Sequence, residues 1–167
     1  MDSALKLLEQ RNYKEITVLD IVAESGVNRN TFYYHFRDMS ALVEELARRS
    51  LDGIFADSHR PMVDKLKAAV DVLYDNRKVA LHVYCSAERS VFDKGLDKVC
   101  ERLVNYIFDT SAELLIYSSE DKKRLFTVCK ACCYGLVCDW FLNGLDENGY
   151  HMLHSVCEHS FKNSQMI

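Results

Sequence analysis

The chain has 167 residues, of which 49% are hydrophobic, with one proline, six glycines and a net charge of −4 at pH 7. This length allows one or two small domains with a sizeable core, and so few prolines and glycines leave little room for the turns of a sheet protein. Because no apolar run reaches about 18 residues and no leader-like segment stands at the start, we expect a cytoplasmic protein without membrane association.

The first predicted elements are a helix over residues 1–12 and a helix-turn-helix over residues 17–36. Thr17 can cap the first helix of this pair, because its hydroxyl can accept an otherwise unpaired backbone N–H. Gly26 can take the left-handed conformation that ends a helix, and Asn28 is a good cap for the next one. Val27 is expected to fill the corner between them.

The second helix of the pair has two distinct faces. Phe32 and Phe36 lie four residues apart and therefore point to one side, which we expect to be the inside. Arg29, Asn30 and Tyr33 then point outward. Arginine can pair with guanine, an amide with adenine, and apolar atoms can contact the thymine methyl group. This pattern predicts a helix that enters the major groove of DNA.

The rest of the chain is predicted to be helical. A long helix over Met39–Phe55 keeps a 3.6-residue apolar period, and the pattern breaks at residues 58–61, where a proline disfavours helix in the residue before it. Five further helices are expected over residues 63–74, 78–87, 94–117, 120–143 and 149–162. The fold class predicted from the residues is therefore all-α.

Two stretches resemble a known family. The run V-N-R-N-T-F-Y-Y-H-F, preceded by I-T-V-L-D-I, resembles the DNA-binding domain of TetR-family bacterial regulators. The run Y-G-L-V-C-D-W-F-L-N-G-L over residues 134–145 is similar to the C-terminal domain of a TetR-like subfamily named for a dihydroxyacetone-kinase regulator. The resemblance implies an N-terminal helix-turn-helix three-helix domain, residues 1–50, and a C-terminal helical bundle for effector binding and dimerisation, residues 51–167, in a dimeric protein.

The family's DNA contacts can be transferred to the positions that match its motif. Thr17 matches a phosphate contact, and Tyr34 and His35 match positions that hold phosphates or pack beside them. The base-reading positions are occupied by Asn28, Arg29, Asn30, Thr31 and Tyr33. The usual lysine at the start of the long helix is Met39 here, so one phosphate clamp is missing. Taken without the resemblance, these residues could equally form an ordinary solvated face.

Charge alone would not suggest a DNA-binding protein. The first 50 residues have a net charge of −1 and the remainder −3. The segment from Asn28 to Arg37 nevertheless carries Arg29 and Arg37 and no acid, and charge at the contact matters more than the total. We expect modest affinity for each protomer and a need for dimers.

The expected partners are double-stranded operator DNA and a second copy of the chain. Apolar residues on more than one stripe of a helix need extensive burial, so the resemblance and the pattern together predict a homodimer through Glu120–Asn143 and Gly149–Lys162. The expected function is that of a ligand-responsive repressor, with a small-molecule pocket lined by His82, Tyr106, Tyr134 or Trp140. The alternative is a module that binds a protein co-regulator, which a large exposed apolar patch without an internal cavity would favour.

The seven cysteines are an odd number without signs of secretion, which favours reduced thiols over a disulfide framework. Thiolate and imidazole groups are zinc ligands, and the chain offers Cys129, Cys132 and Cys133, with His151, His154, Cys157 and His159 later in the sequence. However, Cys129 and Cys132 fit the apolar period of a regular helix, so we predict no metal site. A redox switch would need an exposed thiol of low pKa, and Lys130 is the one clearly cationic neighbour. No phosphate loop or nucleophile elbow is present, so we predict no catalytic residues and no cofactor.

Overall fold

The computed structural model describes residues 2–86 and 89–161, and the backbone of these residues is helical with no strand. The helices are α1 (Asp2–Gln10), α2 (Val18–Ser25), α3 (Arg29–His35), α4 (Met39–Phe55), α5 (Met62–Asp75), α6 (Arg77–Ser86), α7 (Arg89–Thr110), α8 (Ser119–Leu142) and α9 (Glu147–Phe161). Two 3₁₀ turns lie at Tyr13–Glu15 and Ala112–Ile116. The all-α prediction is confirmed. Met1, Ala87 and residues 162–167, which contain the ends of three predicted helices, lie outside the described residues.

The first four helices share one buried cluster. Its members come from α1, the connection after it, and α2 to α4: Ala4, Leu8, Ile16, Ile21, Phe32 and Leu42. Val79 and Val83 of α6 also pack against this cluster. The Nδ1 atom of His82 lies 2.7 Å from the backbone oxygen of Leu8. The core beneath the helix-turn-helix is therefore completed by a helix from the C-terminal part of the chain.

Helix α4 joins the helix-turn-helix to the remaining helices. The Asp38 side chain caps it by accepting the backbone N–H of Ala41 at 2.9 Å. Further along, the Asp52 carboxylate accepts hydrogen bonds from Arg102 at 2.6 Å and from the Tyr106 hydroxyl at 2.5 Å, both on α7. The hydrogen bond from Tyr106 is the main cause that lowers the pKa of Asp52. This polar contact connects α4 firmly to α7.

Helices α7 and α8 pack side by side in antiparallel directions. The Phe108 and Phe126 rings meet at 5.3 Å near one end of the pair. Towards the other end, the Tyr134 hydroxyl donates to Asp93 at 3.1 Å. Helix α9 turns back and packs mainly along α5, where Tyr150 donates to Asp71 at 2.8 Å.

One predicted helix is shorter and shifted in the structure. The sequence predicted a single helix over residues 94–117, whereas α7 begins at Arg89 and ends at Thr110. Its first turn carries an ion pair between Arg89 and Asp93, four residues apart, at 2.9 Å. At its end the hydroxyls of Thr110 and Ser111 donate to the carbonyls of Tyr106 and Ile107, at 2.7 and 2.6 Å. These local bonds offer the backbone an alternative to continuing the helix.

Candidate DNA-binding surface

The helix-turn-helix is held in shape by side-chain caps. Asp20 accepts the backbone N–H and the hydroxyl of Thr17 at 2.7 and 2.6 Å, while the Thr17 hydroxyl oxygen accepts the N–H of Asp20 at 3.3 Å. The hydrogen bond from the Thr17 hydroxyl has the largest effect on the pKa of Asp20, and the one from the Thr17 backbone N–H has the next largest. Together they lower this pKa to about 2, so the carboxylate is charged at neutral pH. Gly26 closes the helix with φ of 69°, in the left-handed region.

Helix α3 begins at a second cap. The Asn28 side-chain oxygen accepts the backbone N–H of Thr31 at 2.8 Å and its hydroxyl at 3.1 Å. The structure therefore uses these two predicted contact residues to start the helix. The Asn28 amide nitrogen has no part in the cap and can still donate to DNA.

The outward face of α3 contains the predicted base-reading group. Phe32 is buried beneath the helix, whereas Arg29, Asn30 and Tyr33 are exposed together. The Arg29 guanidinium lies 5.6 Å from the centre of the Tyr33 ring, so a cation–π contact orients it along the helix. This arrangement offers a planar donor, an amide and an aromatic edge on one surface.

The predicted phosphate contacts lie at the two ends of this surface. Tyr34 and His35 are exposed at the end of α3, with their rings 5.0 Å apart and nearly perpendicular. Thr17 is exposed at the start of α2. DNA contact by any of these residues is still a prediction.

Val27 does not fill the corner as predicted. Its side chain is exposed beside α3, together with that of Leu19 on α2. Ile21 and Phe32 close the corner from inside, as members of the buried cluster. Because the turn at Gly26 directs Val27 outward, this residue adds apolar surface next to α3.

Arg37 is a candidate phosphate contact that the motif comparison did not select. It lies directly after Phe36, between α3 and α4, with a side chain that is 86% exposed and donates to Asp38 at 2.8 Å. The signal was available in the sequence, since Arg37 ends the acid-free segment that begins at Asn28. Its position allows it to supply the positive charge that Met39 does not.

Arg37→Ala is therefore expected to weaken binding to operator and to scrambled DNA by the same factor, because a phosphate contact carries no sequence information. The slope of log affinity against log salt should become shallower by about one unit per half-site. Titrations of both duplexes at several salt concentrations measure this. Arg60→Ala, which removes an exposed charge from the connection between α4 and α5, is the control and should leave both affinities nearly unchanged. A loss confined to the operator would show that Arg37 reads bases.

The structure does not bring the four predicted pocket residues together. Tyr106 stacks on Phe55 at 4.4 Å, whereas Trp140 is buried in a different cluster beside Tyr74. His82 contacts α1, and Tyr134 faces Asp93 on α7. None of the four lines either of two open depressions on the described surface, one beside His35 and Arg49 and the other beside Phe108 and Leu115. The sequence alone could not tell which neighbouring helix each of these side chains meets.

Within residues 2–86 and 89–161, no three histidine, cysteine or acidic side chains are grouped so that they could hold a metal ion. The expectation of a metal-free protein is still a prediction.

Comparisons with known proteins agree with this geometry. The family profile described as "Bacterial regulatory proteins, tetR family" matches residues 1–46, and the one described as "Transcriptional regulator C-terminal region" matches residues 62–160. The HTH-type transcriptional repressor KstR2 of Rhodococcus jostii (strain RHA1) is 24% identical over 115 residues, which are 68% of this chain. The match covers 56% of KstR2, so this chain corresponds to little more than half of that relative's length.

Two solved structures share the fold. The dihydroxyacetone kinase operon activator DhaS superposes with a TM-score of 0.66 over 96% of this chain and 93% of its own, at 16% identity. GusR of Salmonella enterica superposes with a TM-score of 0.51 over 96% and 92% of the two chains, at 18% identity. At these identities the similarity concerns the arrangement of the helices.

Proposed function

This chain belongs to the TetR family of bacterial regulatory proteins, and from that premise we propose that it is a ligand-responsive repressor that binds a palindromic operator as a homodimer. The observation that carries the proposal is the exposed α3 face, where Arg29, Asn30 and Tyr33 lie above buried Phe32. The relative KstR2 is named a repressor, which supports repression rather than activation of transcription. We further propose that the protein acts in the cytoplasm by binding alone, without catalysis or a cofactor.

Selection of bound DNA from a random pool tests this proposal. Two α3 helices in a symmetric dimer enter successive major grooves about one DNA turn apart, so the selected sites should be palindromes with that half-site spacing. Enrichment of a single, non-repeated half-site would contradict the dimer. No enrichment of any sequence would contradict operator recognition.

Arg29→Ala is expected to weaken operator binding by roughly ten- to a hundredfold and to relax the preference at one base pair in each half-site. A good bidentate contact from arginine to guanine contributes about 1–3 kcal/mol of discrimination, and the exposed guanidinium beside Tyr33 is placed for such a contact. Competition between operator and scrambled duplex measures the effect. An unchanged ratio of the two affinities would mean that α3 does not read bases through Arg29.

The exposed surface of α8 supports the homodimer. Val128 is 58% exposed and Leu142 is 65% exposed, although both are large and apolar. Between them Cys132 and Gly135 are also exposed, and all four fall on one stripe at spacings of three, four and seven residues. Small residues in the middle of such a stripe allow two helices to approach closely. On α9, Met152 is a further exposed apolar side chain within the predicted interface Gly149–Lys162, of which Lys162 lies beyond the described residues.

Helix α8 is also, among the described residues, the one helix long and apolar enough to cross a membrane by length and composition alone. Burial against a second copy is the simpler account of this composition. Its lateral contacts with α7 include charged Lys130, which pairs with Asp97 at 2.8 Å.

The proposed mechanism has two states. An effector that binds one arrangement of the C-terminal helices more tightly shifts the population towards it, and α4 transmits the change to the separation of the two α3 helices. The hydrogen bonds that Arg102 and Tyr106 donate to Asp52 support this role of α4, because they connect it to α7.

A second candidate function is supported by a different surface. In the 3₁₀ turn between α7 and α8, Leu115 is 78% exposed and Ile116 is 87% exposed, and Tyr117 follows them at the surface. Exposed apolar groups of this kind mark protein interaction sites. Because the predicted pocket residues do not meet, we propose as the alternative that a protein co-regulator binds here. A Leu115→Ser and Ile116→Ser double variant should then lose co-regulator binding and retain operator affinity. A small molecule that alone changes operator affinity would favour the first candidate.

A further inference from the structure

An acidic and a basic side chain lie within the exposed stripe of α8. Asp139 falls between Gly135 and Leu142 on this stripe, and Arg124 lies one turn before Val128. Both are exposed, with 69% of the Arg124 side chain accessible to solvent. At about 100° per residue, both lie within about 40° of Val128 around the helix. The surface proposed for the homodimer therefore carries one charge of each sign, one towards each end.

This stripe faces away from α7. Lys130 and Tyr134 of α8 bond to Asp97 and Asp93 of α7, at 2.8 and 3.1 Å. Both lie about 120–160° around α8 from Val128, so α7 packs on the other side of the helix. In the proposed homodimer, a second copy of the chain covers the stripe.

Neither charge is strongly paired on its own chain. Within the described residues, the Asp139 carboxylate accepts one hydrogen bond, from the uncharged amide of Asn143 at 3.4 Å. Arg124 reaches Glu120 at 3.4 Å and Asp121 at 3.3 Å, both of them exposed acids in the first turn of α8. Exposed pairs of this kind contribute little to stability. A guanidinium has five N–H donors, so Arg124 can bind a further carboxylate.

We propose that the two α8 helices of the homodimer pack antiparallel, with Asp139 of each copy paired to Arg124 of the other. This pairing rests on the proposed homodimer and specifies its alignment. A twofold axis perpendicular to the helices repeats every contact, so one alignment forms two ion pairs. Parallel helices would instead place Asp139 beside Asp139 of the second copy, and like charges facing each other across an interface are unfavourable.

The same alignment fits the sizes of the neighbouring side chains. The point midway between the two charged residues lies between Ala131 and Cys132, and Val128 and Gly135 are centred on the same point. A twofold axis there places Val128 opposite Gly135 of the second copy, which has no side chain. Ala131 and Cys132, at the axis, are small and exposed. Because large residues that face small ones let two helices approach closely, packing and charge favour the same axis.

The pairing is tested by the dissociation constant of the dimer, measured by sedimentation of the full chain without DNA. Arg124→Asp and Asp139→Arg each bring like charges together at two symmetric contacts, so each should weaken association by roughly a hundredfold, about tenfold per contact. The double variant exchanges the two residues and should return to within about fivefold of the unmodified protein, because the two sites are coupled. Losses that simply multiply in the double variant would overturn the proposal.

Lys123→Asp is the matched control for Arg124→Asp. It makes the same change of charge at the preceding exposed residue, about 100° around the helix and further from the stripe. It should leave the dissociation constant nearly unchanged. A loss as large as that of Arg124→Asp would mean that the general charge of this end of α8, and not the pairing, controls association.

Asp139→Asn distinguishes the antiparallel arrangement from the parallel one. It removes the charge and keeps the shape, so it should weaken an antiparallel dimer by about two- to thirtyfold and make association less sensitive to salt. Tighter association would indicate parallel helices and overturn the proposal. A dimer that responds to none of these changes would overturn the ion pairs and leave the proposed homodimer standing. A monomer at micromolar concentration would contradict the homodimer and the pairing together.

Discussion

Val128→Glu is expected to yield a monomer that has lost operator binding by a factor on the order of 10² to 10⁴, the advantage that linking two binding modules commonly provides. Val128 is 58% exposed in the single chain, so a glutamate there costs little in the monomer. In the proposed dimer the same carboxylate would be buried against an apolar surface, which is strongly unfavourable for an unpaired charge. Sedimentation at micromolar concentration and titration of a full operator measure the two consequences.

Thr127→Glu is the matched control for this variant. Thr127 is an exposed neighbour on α8, about 100° around the helix from Val128, so the substitution adds the same charge away from the stripe. It should leave the protein dimeric with nearly unchanged operator affinity. If the unmodified protein sediments as a monomer at micromolar concentration, the proposed interface is wrong.

Gly149→Ala is expected to lower the free energy of unfolding by about 3 kcal/mol, the upper part of the range for overpacked positions. A Cβ atom at Gly149 would lie 2.6 Å from Nε1 of Trp140 and closer still to its Cδ1. Trp140 cannot move aside, because it is buried and its indole N–H donates to the backbone oxygen of Asp146 at 2.9 Å. For a chain of this size the melting temperature should fall by roughly 6–12 °C.

Gly53→Ala provides the opposite expectation within the same protein. Gly53 is exposed in the last turn of α4, and a Cβ atom there would meet nothing within 4 Å. Alanine has the higher helix propensity, so this variant should gain up to about 1 kcal/mol. Thermal and denaturant unfolding of both variants distinguish packing at the α8–α9 corner from a general effect of removing glycine. Equal stabilities for Gly149→Ala and the unmodified chain would contradict the packing around Trp140.

Sequence features that depend on a few neighbouring residues, such as helix caps, predicted the bounds of individual helices well. The bounds of α4 were predicted correctly as Met39–Phe55, because Asp38 caps its start through a bond to Ala41 three residues later. The caps at Thr17 and Asn28 and the left-handed Gly26 likewise locate the helix-turn-helix. Each of these features depends on a short stretch of chain, which a single sequence displays directly.

Contacts between distant segments could not be predicted in the same way. The sequence predicted a pocket that includes Trp140 and Tyr106, yet helical spacing gave no information on whether these two side chains face the same space. Their neighbours, Tyr74 and Phe55, lie far away in sequence. The sequence also did not show that α7 ends at Thr110. The apolar pattern continues beyond this residue, and the hydroxyls of Thr110 and Ser111 end the helix by bonding to backbone carbonyls.

The closure of the N-terminal core by α6 has a consequence for protein engineering. Val79 and Val83 pack beneath the helices that carry α3, so these helices share their interior with a segment some 40 residues further along the chain. A hybrid regulator made by joining residues 1–50 to the C-terminal part of another protein would leave this interior open unless the recipient offers a similar apolar surface. The natural unit for transplantation therefore includes the face of α6 as well as the helix-turn-helix.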